Sequence, residues 1–100
     1  MLKLNQWGKN PEWPQSVEVW TPGEEIIPEW LSDRAKVSGF TDKGNIVLDA
    51  YTDSKGSLHI KDTYRPIDLV VIPHGHYLVY GKGFLKSISP EQLDMIYENL

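Results

Sequence analysis

The sequence predicts an α+β fold, a small and mainly antiparallel sheet packed with two short helices. Three observations lead there. The chain has 100 residues, 40% hydrophobic and 24% charged, which suits one modest globular core and leaves no room for two independent ones. From residue 45 to residue 88 short alternating segments are separated by Gly, Asn and Pro turns, the signature of adjacent antiparallel strands. Residues 89–92, Ser-Pro-Glu-Gln, then form a capping box that opens a closing helix.

The first 23 residues are an aromatic, proline-rich stretch, and residues 24–100 form the α+β scaffold of the same single domain. Asn10-Pro11, Trp13-Pro14 and Thr21-Pro22-Gly23 are turn or extended signals. Between them Val17-Glu18-Val19-Trp20 predicts a short strand with Val17 and Val19 on one face. A short helix follows, with Pro28 at the first helical position, where its missing N–H costs nothing, and Glu29 at the positive end of the dipole. Ile27, Trp30, Leu31 and Ala35 make its apolar face, and Gly39 is the expected stop.

Residues 45–51 alternate as one strand, with Ile46, Leu48 and Ala50 on one face. Asp53-Ser54-Lys55-Gly56 reads as a hairpin turn. Leu58-His59-Ile60 returns, His59 pointing outward. Residues 62–66 loop into Ile67–Ile72, the most apolar segment and therefore the expected central strand. His76–Tyr80 and Phe84–Ile88 complete the strands, joined by the Gly81-Lys82-Gly83 turn. In the last helix Leu93, Ile96, Tyr97 and Leu100 fall at i, i+3, i+4 and i+7, one face that must pack on the sheet.

Composition excludes several function classes. Ten Lys+Arg against fourteen Asp+Glu give a net charge of −4, and the cations are scattered, so a nucleic-acid partner is not expected. With no cysteine there is no disulfide framework, cysteine zinc site or thiol nucleophile, and a cytoplasmic location is expected. No signal core opens the sequence, and the longest apolar run, Leu69–Ile72, is far short of the roughly twenty residues of a membrane span. No membrane partner and no cofactor are expected.

Three segments carry a family resemblance: Ile27-Pro28-Glu29-Trp30-Leu31 followed by Gly39, the run from Pro73 to Phe84 (Pro-His-Gly-His-Tyr-Leu-Val-Tyr-Gly-Lys-Gly-Phe), and residues 88–97 ending Leu93-Asp94-Met95-Ile96-Tyr97. In order and spacing over residues 27–98 they resemble small uncharacterised bacteriophage and prophage proteins with a PEW opening, a PGDY/W-type hairpin and a closing helix with an aromatic-xxx-Tyr pattern. His76 stands where that group carries an acid, and Leu93 where it carries Phe. The resemblance implies a phage origin, hence the cytoplasm of the host cell, and an accessory role against host defence.

Four tryptophans and five tyrosines accompany only two phenylalanines, and Trp7, Trp13 and Trp20 all lie in the first 20 residues. Trp is enriched at binding hot spots, so these three are the candidate surface for a host protein. Arg34 and Arg65 with aromatic neighbours offer the alternative, a pocket that sequesters a signalling nucleotide by phosphate contacts and base stacking. His74-Gly75-His76 is the only pair with ligand spacing. With Gly75 extended, both imidazoles would project from one face about 7 Å apart, and His59 could be a third ligand to zinc. A His76 general base near Tyr80 is the corresponding catalytic reading. Gly81-Lys82-Gly83 lacks phosphate-loop spacing and leads into a strand. The expected function is therefore binding and inhibition of a host protein, without catalysis. Nucleotide sequestration is the first alternative and a metal- or histidine-dependent enzyme the second, and a homo-oligomer is compatible with either binding reading.

Overall fold

The computed structural model describes residues 2–4 and 13–99. In chain order the elements are β1 (Leu2–Leu4), β2 (Ser16–Trp20), α1 (Glu29–Ser32), β3 (Val37–Phe40), β4 (Ile46–Leu48), β5 (Ala50–Thr52), β6 (Leu58–Lys61), β7 (Asp68–Ile72), β8 (Tyr77–Gly81), β9 (Phe84–Ile88), α2 (Pro90–Ile96) and β10 (Tyr97–Asn99). The class is α+β, mainly sheet, and every strand pairing is antiparallel. Among the described residues the strands form three sheets rather than one. No helix among the described residues is long and apolar enough to cross a membrane.

The chain falls into two units, one built from the segments up to Thr21 and from Gly75 onward, the other from Pro22–His74. The first unit carries a five-stranded sheet in the order β10-β1-β2-β8-β9. Its core gathers Val17, Val79, Ile88, Leu93, Ile96 and Tyr97, with Leu2, Leu4, Trp13, Val19, Tyr77 and Phe84 packed around them. Ser89 caps α2 as expected, its Oγ accepting the Gln92 N–H at 3.2 Å. The helix ends at Ile96, earlier than the apolar spacing predicts. Tyr97 leaves it in extended conformation and pairs with Leu4, so the ladder to β1 takes the backbone groups that a further helical turn would need. Leu2–Leu4 and Ser16–Trp20 of the N-terminal stretch are thus strands of this sheet, paired with segments from beyond residue 74 rather than set ahead of a scaffold that starts at residue 24. β1 has three residues, too few to show a period in the sequence.

The second unit holds the β3-β4 hairpin and the β5-β6-β7 sheet, with Leu31, Ala35, Ile60 and Ile72 buried. Here three expectations need correction. Helix α1 stops at Ser32 and not at Gly39, because Ala35 bridges to Asp62 and the Lys36 N–H bonds the Lys61 carbonyl at 2.9 Å. Gly39 lies inside β3. The single strand expected over residues 45–51 divides at Asp49, whose N–H goes to the Lys36 carbonyl (2.7 Å) and whose carbonyl accepts the Lys61 N–H (2.9 Å). Residues before it pair with β3 and residues after it with β6. The apolar β7 is an edge strand of its ladder and β6 is central. The 53–56 turn folds β6 back onto β5, leaving β7 only the other side of β6.

Candidate functional site

The cleft that gathers the most chemistry lies in the second unit. Past α1 the chain runs through Arg34 alongside residues 61–63: the Thr63 N–H bonds the Arg34 carbonyl at 3.0 Å, next to the Ala35–Asp62 bridge. Asp62 then shapes the following loop. Its Oδ1 accepts the backbone N–H groups of Tyr64 (2.7 Å) and Arg65 (3.2 Å), an Asx-type turn. Its own N–H closes the loop onto the Ile67 carbonyl at 3.0 Å. The result is an open cleft of ≈ 440 Å³ lined by Arg34, Asp62, Tyr64, Arg65, Ile67, Asp68 and Leu69. Tyr64 is 83% exposed and presents its ring to solvent. Among the described residues neither arginine is in an ion pair.

Of the two carboxylates in this wall, Asp62 is turned to its own loop and Asp68 to the adjoining strands. Asp68 Oδ2 lies 2.7 Å from His59 Nδ1, and Asp68 Oδ1 lies 3.1 Å from Lys61 Nζ. The other ring nitrogen of His59, Nε2, is 2.8 Å from Asp53 Oδ2. Asp53 in turn accepts the N–H groups of Lys55 and Ser57 through Oδ1, fixing the β5–β6 turn. Tyr51 stacks on the imidazole with centroids 4.5 Å apart and planes 7° off parallel. Both ring nitrogens face carboxylates, so the favoured form is the imidazolium donating twice. The hydrogen bonds to Asp53 and Asp68 raise the His59 pKa above its ordinary value. The same bonds, with Lys61 beside Asp68, hold both carboxyls below the usual carboxylate range. A general base needs a free ring nitrogen within reach of its proton donor, and His59 has both engaged. This cluster holds charge and anchors the start of β7.

The residues singled out from the sequence divide between the two units. Arg34 and Arg65 both line the cleft of the second unit, together with Tyr64. Trp7 lies outside the described residues. Trp13 is half-buried against the core of the first unit and stacks on Tyr97. Trp20 is only 4% exposed, so it is not part of a flat tryptophan surface. The alternation in β2 turns it to the sheet face opposite Val17 and Val19, where it registers with buried Leu78. His74 and His76 flank Gly75, whose φ of +79° makes a turn, so the extended geometry on which a two-histidine zinc face depends is absent. His59 is committed to its carboxylates, and among the described residues no group of three His, Asp or Glu is arranged to hold a metal ion. Tyr80 is half-buried in β8, opposite Glu18 and Leu85, and His76 precedes that strand.

Sequence reasoning did not find Tyr64, or the Asp53–His59–Asp68 cluster. Asp62 ahead of Thr-Tyr-Arg is a legible Asx signal, and with it the loop could have been read as built. The cluster depends on β6–β7 register, which has an irregularity between Ile60 and Lys61 that no local pattern encodes. Comparison of the chain with known protein families, curated protein sequences and solved structures gives no match.

Proposed function

We propose that this chain is a small accessory protein of phage type that acts by binding, without catalysis, and that its ligand is a small anionic molecule of nucleotide class. Held at the Arg34–Tyr64–Arg65 cleft, such a ligand would be withdrawn from solution, which is how a protein of this size could blunt a defence signal carried by a nucleotide. The observation that carries the reading is the convergence on one cleft of one exposed aromatic ring and two arginines that form no ion pair among the described residues. Guanidinium groups hold phosphate oxygens in pairs of hydrogen bonds, and an aromatic face stacks a base whatever its identity. Of the cleft's two carboxylates, Asp68 is balanced by His59 and Lys61, while Asp62 is held by the backbone N–H groups of its own loop. The phage origin rests on the resemblance over residues 27–98.

Native mass spectrometry of the full chain purified from a bacterial host tests it. A nucleotide-sized adduct is expected in the wild type and absent from Arg34→Ala and Arg65→Ala. An adduct-free wild type that also shows no binding of mononucleotides in calorimetry would refute the reading.

Inhibition of a host protein stands as the second reading. With Trp20 buried it now rests on the exposed apolar side chains of the second unit, Ile26 at 74% and Phe40 at 71% exposure. A stoichiometric protein complex in the same spectra, lost on Phe40→Ser and indifferent to the arginine variants, would favour it.

A further inference from the structure

We infer that anion binding at the Arg34–Tyr64–Arg65 cleft is coupled to a proton on His59, transmitted through Asp68. This rests on the cleft being the ligand site and adds a regulatory residue to it.

Asp68 belongs to two structures at once. It is part of the cleft wall, and its carboxylate is held by His59 Nδ1 at 2.7 Å and Lys61 Nζ at 3.1 Å. The loop that carries Tyr64 and Arg65 ends where Asp68 begins β7, and its base is closed by the Asp62–Ile67 backbone bond of 3.0 Å. Whatever secures Asp68 therefore secures the C-terminal anchor of that loop.

The charged and titratable groups around His59 are Asp53 from the β5–β6 turn, Asp68 from β7, Lys61 from its own strand and Tyr51 from β5, with Asp49 pairing Lys36 and acting on Lys61. With His59 protonated, the two carboxylates that clamp it are balanced by two cations, His59 and Lys61. When His59 loses its proton the group carries one net negative charge beside a site for anions. One of its ring nitrogens also becomes an acceptor facing a carboxylate, and that hydrogen bond is lost. Both effects have the same sign: deprotonation makes the wall more negative and loosens the cluster that anchors the loop presenting Arg65. By linkage, a bound anion must raise the affinity of His59 for its proton.

The test uses the full chain at low salt, with inorganic sulfate as probe because its charge is constant across the titration, and adenosine monophosphate as a second ligand. NMR titration follows the three histidine rings with and without probe. The expected result is an upward shift of the His59 titration by sulfate and none for His74 or His76. Sulfate affinity should fall about two- to four-fold as pH rises through the His59 transition, the scale of one charge acting through a largely aqueous path. His59→Gln, neutral at every pH, should bind with the weaker affinity throughout. Sulfate binding that Arg65→Ala abolishes, but that leaves the His59 titration unmoved, would overturn the coupling and keep the cleft. Absence of binding by both probes at up to roughly tens of millimolar, weaker than any physiologically useful site, would overturn cleft and coupling together.

Discussion

Trp13 stacks on Tyr97, ring centroids 6.4 Å apart and planes 18° off parallel. The contact joins the segment that leads into β2 to the residue leaving α2. The Tyr97 hydroxyl reinforces it by donating to the Pro14 carbonyl at 3.0 Å. An aromatic that the sequence offers as a contact surface thus serves as one wall of the first unit's core.

Trp13→Ala is expected to lose that wall. A half-buried tryptophan that packs on a core should cost about 2–3 kcal/mol on truncation, below the range for a fully buried one. Chemical denaturation checks this. A midpoint equal to wild type would return Trp13 to the surface.

Gly81→Ala tests how closely the N-terminal segment lies on β8. A Cβ at Gly81 would meet Pro14 Cγ at 2.5 Å and Cβ at 2.6 Å, with the Ser16 carbonyl at 3.2 Å. The proline ring is stiff, so the segment has to shift, at about 1–3 kcal/mol. Gly83→Ala is the comparison, with open space around it but a φ of +69°; its cost should be near 1 kcal/mol and purely conformational. Hydrogen exchange separates the two, since only Gly81→Ala should loosen the β2–β8 amides.

Ile96→Ala removes a buried side chain from the helix α2 face that packs on the sheet. The expected loss is about 2–4 kcal/mol, read as a lower denaturation midpoint. The same substitution at neighbouring Met95, which is exposed, should cost a small fraction of that.

Stability should depend on pH through the His59 cluster. His59 has its pKa raised from 6.5, so its contribution is complete below that value and is lost as pH rises through the higher folded-state pKa. Asp53 and Asp68 have theirs lowered from 3.8, so their contribution is complete above that value and is lost as pH falls through the lower folded-state pKa. Thermal melts should therefore show greatest stability between about pH 4 and pH 6.5, with a decline on the alkaline side. His59→Gln should abolish the alkaline decline. An unchanged profile in that variant would place the titration elsewhere.

Whatever is encoded locally was legible from the residues alone. The Ser89-Pro90 start of α2, the Asp53–Gly56 turn and the Phe84–Ile88 strand each depend on side chains reaching backbone groups a few positions away, or on a two-residue period. The α+β class follows from them. Partner choice does not, because a strand's hydrogen-bonding edge can pair with any other edge that the topology brings alongside. Tertiary pairing ended α1 before Gly39, divided the 45–51 segment at Asp49, set β7 at an edge and drew Tyr97 out of its helix into the ladder with Leu4. The candidate site shows the same division. The sequence supplied Arg34 and Arg65 as ligand-binding residue types, and no spacing between them predicts contact. They share a cleft because the Thr63 amide bonds the Arg34 carbonyl, and Asp68 finds His59 because β7 pairs with β6. Both are long-range backbone pairings, whose free energy comes from the folded sheet and from no local segment of the chain.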